Sequence, residues 1–416
     1  MSQNQSPHAD RRQFLQAGAV AATTAAALTA APGRTTAQDA APQAAVLPRR
    51  KLGNTGAEMT LVNYGTLRVS GLDRLLLNAY ERGVRTFDTA AAYRTEPSFK
   101  RWFEKKPEVR KEIFLVSKTI ARDLDQLVAD LDQRLEACGT DHLDLYFWHA
   151  MGDHNEPIDF PKSPEFKKAV ETIKKSGKAR FVGFSTHHPR RAEYIQSAVE
   201  GGFIDAIMLQ YSPFLEKGSP IDKALDAAHA AGIGLISMKQ MAGQFGGARG
   251  GPRPPSPVEE ATRRLAPMLE ERKLTPQQGL LPAIWTDERI AASCVTMGNL
   301  DQLRDNTEAA RTFTPLKVAE LEQLRAASLA ASPTFCADCD GRCGRAAGTD
   351  ARLGDLARYL TYHEHHGHRG EARRQYAELT DAERDWSTAD LEAARHACPS
   401  RLNFAKLLPE ADRLLS

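Results

Sequence analysis

The sequence predicts an α/β protein: a closed parallel (β/α)8 TIM barrel followed by a small, mainly helical C-terminal segment that carries cysteines. Three observations lead there. Short apolar runs alternate with amphipathic stretches eight times from Leu52 onward. The alternation ends after a span close to the roughly 250 residues such barrels occupy. An open doubly wound sheet would want a Gly-rich turn after its first strand, and Tyr64-Gly65-Thr66 does not supply one.

The expected strands are Met59–Tyr64, Val84–Asp88, Ile113–Ser117, Leu143–Trp148, Ala179–Phe184, Ala206–Leu209, Gly234–Met238 and Ala292–Thr296. Each is a short run bounded by turn or helix signals, as a strand buried on both faces should be. Between them, 3.6-residue periodicity marks helices at Leu124–Cys138, Glu165–Ser176, Arg191–Gly201, Lys223–Ala231 and Thr275–Trp285. Several stop at a glycine, among them Gly139, Gly177, Gly202 and Gly232. The Gly- and Pro-rich stretch Gly243–Pro257 cannot be regular structure. It follows the seventh strand, where a lid over a bound cofactor and a slack surface insertion both fit. After Ser328 the pattern is exhausted, and helix-like stretches follow at Gly354–His363, Arg369–Leu379 and Asp381–Ala394.

The chain has 416 residues, 42% apolar and 26% charged, which excludes disorder and a disulfide-stapled miniprotein. Fifty-five basic and 53 acidic side chains leave a formal charge of +2 with no sustained run of one sign. The electrostatic footprint of a nucleic-acid binder is absent. Near the N-terminus, Arg11-Arg12-Gln13-Phe14-Leu15 precedes a mildly apolar Ala/Thr stretch from Ala17 to Ala31. That stretch is too weakly apolar for a stable membrane span. It fits a twin-arginine (Tat) export signal ending after Ala37, which makes the Tat machinery a partner and the periplasm, or another exported location, the destination. The expected organisation is a signal peptide over 1–37, a linker over 38–48, the barrel over 49–328 and the helical segment over 329–416.

Ionisable residues stand at the ends of three consecutive expected strands: Asp88, with Tyr93 five residues on, then Lys118, then His149. In a parallel barrel those ends share one rim, which is where such folds do their chemistry. Reducing a carbonyl leaves negative charge on oxygen and needs a placed proton donor. A tyrosine can serve, a neighbouring ammonium lowers its pKa, and a buried aspartate keeps that ammonium charged. His149 can orient the substrate oxygen.

These residues lie in motifs. Phe-Asp-Thr-Ala-x-x-Tyr, Val-Ser-Lys and Leu-Asp-Leu-Tyr-x-x-His resemble the aldo/keto reductase family, as do the opening Arg50–Gly56, the fifth-strand stretch Gly177–Ser185 and the late stretch Asn299–Asn306. The resemblance spans about residues 49–315. It implies a barrel oxidoreductase that reduces an aldehyde or ketone, or runs the reverse, with NAD(P)(H). It makes Tyr93 the general acid and Asp88, Lys118 and His149 its supporting residues. It puts Ser185, Gln210, Met238, Lys239, Gly298, Asn299, Gln302 and Asn306 on the cofactor. Thr186 stands where the family has Asn, Met238 where an aromatic usually stacks, and Gly298 and Gln302 where a cation often meets a 2′-phosphate. The choice between NAD and NADP stays open. A nicotinamide-binding redox sensor or electron-transfer module without efficient turnover is the alternative function.

Cys336, Cys339, Cys343 and Cys398, the last followed by proline, supply four thiolates after the barrel. They suit one [4Fe–4S] cluster, a tetrahedral zinc or, in an oxidising compartment, disulfides. Some bacterial members of the family resemble this chain in carrying ferredoxin-like cysteines there. Cys138 and Cys294 read as core thiols and the His363–His368 run as a solvated helix end. His187 and His188 follow the fifth strand, where substrate contact and loop capping both fit. The substrate and the oligomeric state are not legible.

Overall fold

A computed structural model describes residues 45–67, 69–121, 123–239, 267–274, 276–331, 336, 341–364 and 369–416. The leader, the Gly243–Pro257 stretch, Cys339 and His365–His368 lie outside them. Residues 43–416 form one compact unit.

Eight parallel strands close the barrel: β3 (Val62–Gly65), β4 (Thr86–Asp88), β5 (Phe114–Thr119), β6 (Leu143–Trp148), β7 (Ala179–Thr186), β8 (Ala206–Gln210), β9 (Gly234–Met238) and β10 (Ile290–Thr296). They neighbour each other in chain order, and β10 closes onto β3 with Val295 opposite Tyr64. The expected barrel is therefore present. Alternation along the strands builds two cores, as a two-residue period requires. Leu145 and Phe147 of β6, Met208 of β8 and Ile236 of β9 fill the interior. Tyr146 and Trp148, Ile207 and Leu209, and Leu235 face the surrounding helices.

One expected strand divides. Met59–Tyr64 is two elements: β2 (Glu58–Thr60), which pairs antiparallel with β1 (Arg49–Lys51), and then β3. Leu61 separates them because its carbonyl accepts from Ser293 N at 2.8 Å and Trp285 Nε1 at 3.1 Å, which turns the chain from hairpin into barrel. Leu52 and Met59 pack into the interior cluster, so the hairpin plugs one end of the barrel. The other strands match their expected positions within two residues, and β5 extends through Lys118 to Thr119.

Helices start where capping side chains permit. Asp123 accepts from Gln126 N at 2.8 Å, Ser163 from Phe166 N at 3.2 Å and Asn299 from Gln302 N at 2.9 Å. The C-terminal segment builds its own core from Leu356, Leu360, Ala372, Phe404, Leu408 and their neighbours. Two readings change there. The expected helix Asp381–Ala394 is broken into Asp381–Arg384 and Leu391–Ala397, because Asp390 caps a new start at Ala393 N (2.9 Å). A helix that the pattern did not announce, Phe404–Leu415, buries Phe404, Leu407, Leu408, Ala411 and Leu415. Among the described residues no helix is long and apolar enough to cross a membrane.

Candidate active site

All eight barrel strands run in one direction, so their C-terminal ends form one rim. Asp88 closes β4 and Lys118 lies in the last turn of β5's pleat, both fully inside the barrel. Lys118 Nζ donates to Asp88 Oδ1 at 2.5 Å and to the Thr89 carbonyl at 2.9 Å. Tyr93 ends a short 3-10 turn, Ala91–Tyr93, that follows β4 and swings its ring back over the rim. Lys118 Nζ lies 5.0 Å from the centre of that ring. His149, the first residue after β6, meets Tyr93 edge-to-face with ring centres 5.7 Å apart. The four residues expected to act together are brought together.

Burial pushes the Tyr93 phenol up to about 12, although the Lys118 ammonium pulls it down and Asp88 pushes it further up. The ammonium acts in the expected direction, but desolvation outweighs it, and the resting phenol holds its proton. Burial works against the Lys118 ammonium, but Asp88 and then Tyr93 outweigh it and hold the lysine above its ordinary value. Burial, then Lys118 and Lys239, keep His149 well below its usual range, so its ring is neutral at neutral pH. His149 Nδ1 is buried without a hydrogen-bond partner. The arrangement offers a protonated phenol, a fixed positive charge beneath it and a neutral imidazole beside it, which suits protonation of an oxygen gaining negative charge.

The other expected site residues lie on the same rim. Ser185 and Thr186 end β7 and are committed to the neighbouring loop: Ala150 N donates to Ser185 Oγ at 3.0 Å, and Thr186 Oγ1 donates to the Met151 carbonyl at 2.9 Å. Gln210 ends β8, is 1% exposed, and leaves its Oε1 buried without a partner. An unsatisfied buried amide oxygen is costly unless something supplies a donor, and a carboxamide N–H is of the right kind. Met238 ends β9, and Lys239 follows in the left-handed region at φ 57°. Gly298, Asn299 and Gln302 cluster at the start of the helix Leu300–Arg311, where Gly298 N donates to Gln302 Oε1 at 2.8 Å, and Asn306 is buried in the middle of that helix.

Three contributors escaped the sequence reading. Cys294, read as a core thiol, lies beside the Asp88 carboxyl and influences it. Only its place on β10, directly opposite Asn63 of β3, could have signalled that. Asp153 pairs with His187, Oδ2 to Nε2, at 3.1 Å. Arg352, from the C-terminal segment, reaches Asp153 Oδ1 at 3.5 Å.

The cysteines beyond the barrel are brought only partly into view. Cys343 and Cys398 are buried in the C-terminal core with Cys336 packed against it, and Cys336 and Cys343 line one cavity. Among the described residues no three His, Cys, Asp or Glu side chains converge as metal ligands.

Comparison with known proteins agrees with the geometry. The model of the aldo/keto reductase family matches residues 63–328. L-glyceraldehyde 3-phosphate reductase of Escherichia coli (strain K12) is 24% identical over 303 residues, covering 63% of this chain and 86% of that protein. Methylglyoxal reductase DkgB of Salmonella typhi is 29% identical over 166 residues, 39% of this chain and 59% of its own. The solved structure of an aldo-keto reductase from Bacillus halodurans superposes with a TM-score of 0.53 at 19% identity, covering 69% of this chain and 98% of that one, a likeness of fold. With that family's pattern running from Asn63 through the whole closed barrel, the chain belongs to the aldo/keto reductase family and is an oxidoreductase.

Proposed function

We propose that this protein reduces an aldehyde or ketone with a nicotinamide cofactor, and that Tyr93 gives its phenolic proton to the carbonyl oxygen. The observation that carries the reading is Tyr93 held between Lys118 and His149 over a buried Lys118–Asp88 pair. A reduced nicotinamide, when bound, would supply hydride to the carbonyl carbon. Its fit is supported by the unsatisfied Gln210 Oε1 at the rim and by the helix N-terminus at Asn299, a place suited to anionic groups. His149 holds the carbonyl oxygen toward Tyr93, and Lys118 stabilises the phenolate left after transfer. The names of the relatives point to small oxygenated aldehydes such as glyceraldehyde 3-phosphate and methylglyoxal as first substrates. Tyr93→Phe should retain nicotinamide binding and lose turnover by about a thousandfold. Full turnover in that variant sinks the assignment. Tight nicotinamide binding by the wild type without oxidation against any carbonyl would favour a redox sensor.

Two further readings accompany this one. Cys336, Cys339, Cys343 and Cys398 form a shared site, a [4Fe–4S] cluster or else zinc. The support is the spacing of the cysteines in the sequence, the cavity that Cys336 and Cys343 line and the core that Cys343 shares with Cys398, and no chemical step is assigned to the site. Iron, sulfide and zinc analysis of anaerobically purified protein decides it, and a metal-free product refutes it. The Arg11-Arg12 leader directs folded export through the Tat route to the periplasm. Undiminished export after replacement of both arginines by lysine would refute that.

A further inference from the structure

The loop that leaves β6 begins with His149 and then passes three times through the left-handed backbone region, at Ala150 (φ 62°), Gly152 (φ 97°) and Asn155 (φ 64°). Gly152 suits both the conformation and the space, since a Cβ there would stand 2.8 Å from the Tyr194 ring and 2.9 Å from the His188 ring. Ala150 carries a Cβ and has no such freedom, so its surroundings must hold it.

Each of the six backbone N–H groups from His149 to His154 has a partner. His149 N donates to the Thr119 carbonyl at 2.9 Å, Met151 N to the Ser185 carbonyl at 2.7 Å and Asp153 N to the Ala150 carbonyl at 3.0 Å. Ala150 N donates to Ser185 Oγ at 3.0 Å. The other two, Gly152 N at 2.9 Å and His154 N at 3.1 Å, both donate to Glu156 Oε2. Glu156 Oε1 takes the Trp148 indole N–H at 2.8 Å, and the Glu156 carbonyl takes the Tyr194 hydroxyl at 2.5 Å. Trp148 is itself immobilised, 2% exposed and edge-on to Phe160 and Phe166 with ring centres 5.0 and 6.1 Å away. One carboxylate thus ties the residue before His149 to two residues beyond it through charge-assisted bonds.

This arrangement decides how an oxygen at the rim can be held. With all six N–H groups committed, this stretch of backbone has none to offer an oxygen gaining negative charge, and the task falls to side chains. A histidine is usually aimed by a hydrogen bond at its other ring nitrogen. Among the described residues the buried Nδ1 of His149 has no such bond. Its ring is aimed instead by the backbone that carries it and by the edge-to-face contact with Tyr93.

We propose that Glu156 is a positioning residue: by gripping the loop on both sides of His149 it aims the imidazole at the carbonyl oxygen beside Tyr93. The assignment rests on the carbonyl-reduction reading.

The test uses the full-length protein with methylglyoxal, or any carbonyl that the wild type reduces, and isothermal titration of NADH. Glu156→Gln keeps the size of the side chain but faces one of its donors with an NH2 group. Its kcat should fall by about tenfold or more, while NADH binds within about twofold of the wild type, because only the His149 side of the rim is disturbed. Lys162→Met, which removes a surface pair with Glu200 from the same groove, should leave both quantities unchanged. In Glu156→Ala, sodium formate should restore kcat several-fold and sodium chloride should not, since Glu156, Trp148 and His154 line an open groove through which a small carboxylate can enter. Should the Glu156 variants fail to fold, Tyr194→Phe removes only the hydroxyl bonded to the Glu156 carbonyl and should show the same loss in smaller measure. Wild-type kcat in Glu156→Gln overturns the proposal. So does a parallel loss of NADH affinity, which would mean a general loosening of the rim, or a formate effect that is absent or that chloride reproduces. If the wild type reduces no carbonyl at all, the underlying reading fails first and takes this one with it.

Discussion

Lys118 Nζ stands 2.5 Å from Asp88 Oδ1, and each side chain keeps only 1% of its surface exposed. Two full charges so far from water are held there by each other and by the Thr89 carbonyl. A buried pair of this kind adds little net stability, but losing one partner strands the other. Lys118 Nζ also lies 5.0 Å from the centre of the Tyr93 ring, so on the proposed reading, in which Tyr93 gives up its proton, the pair keeps a positive charge beside the phenolate.

Lys118→Met should therefore destabilise the protein by about 3–5 kcal/mol, since an unpaired buried carboxyl remains. The double variant Asp88→Leu with Lys118→Met should recover most of that loss in a urea melt, while turnover stays abolished. A single variant as stable as the wild type would show that the pair is not buried as described.

The barrel was legible because alternation, capping residues and strand length all agree over residues 62–296, so local and global signals point one way. The division at Leu61 was not legible: it depends on Ser293 and Trp285, more than 220 residues away in sequence. Asp88, Lys118 and His149 were legible as candidates because they stand at or just after strand ends on one rim, with Tyr93 in the turn that follows the first of them. Asp153 and Arg352 were not, since neither sits at a strand end and their meeting depends on how the C-terminal segment packs against the barrel. The net upward shift of Tyr93 also escaped, because the extent of burial is a tertiary quantity.

Three histidines at the mouth make the fold acid-sensitive. Burial, then Arg352, push His188 down to about 4, and burial also leads in lowering His149 and His187. An unfolded histidine titrates near about 6.5, so below that pH the unfolded chain binds protons that the folded state refuses. The stability these rings contribute is full above about pH 6.5 and is lost as pH falls toward the depressed values. Asp153 acts in the opposite sense: burial, opposed by Arg352, raises it to about 6, so its protonation favours the fold in the same window. Burial raises the Asp88 carboxyl as well, and the three depressed imidazoles outnumber these two raised carboxyls at the mouth. The Tm should fall between about pH 7 and pH 5, and His188→Asn, which keeps an acceptor for Arg190 N, should reduce that slope. An identical slope in the variant would contradict this.

Arg289 is the corresponding hub on the outer layer. It meets Asp287 at 2.7 Å, Asp222 at 2.9 Å and Asp226 at 2.5 Å with 11% of its side chain exposed, and Tyr211 donates to Asp287 at 2.9 Å. Burial pushes the Asp287 carboxyl up, but its pairing with Arg289 outweighs this and holds it below the usual range. Arg289→Met should cost about 3–5 kcal/mol at neutral pH by leaving crowded carboxylates without their cation. The difference from the wild type should shrink on acidification, as the freed carboxylates take up protons. Chemical denaturation at the two pH values measures this, and a difference that grows in acid would refute it.

On the proposed placement of the cofactor, the choice between NAD and NADP turns on the start of the helix Leu300–Arg311. Gln302 Oε1 takes the Gly298 N–H at 2.8 Å, and Asn299 caps Gln302 N at 2.9 Å, so this turn is built from neutral groups. The nearest arginine along the helix, Arg304, is committed to Asp301 at 2.9 Å and Asp305 at 3.1 Å. Asp301 adds a negative charge in the first turn, where a 2′-phosphate would want a cation. The wild type should accordingly use NADH at least as well as NADPH in kcat/KM. Gln302→Arg puts a guanidinium within reach of that position and should move the ratio toward NADPH by about tenfold, the scale of one charge-assisted hydrogen bond. Because the substituted side chain faces solvent at the helix start, stability should change little. A wild type with a strong NADPH preference would mean that another cation, outside this helix, meets the phosphate. A variant whose ratio does not move would mean that the cofactor's adenosine end lies elsewhere on the rim.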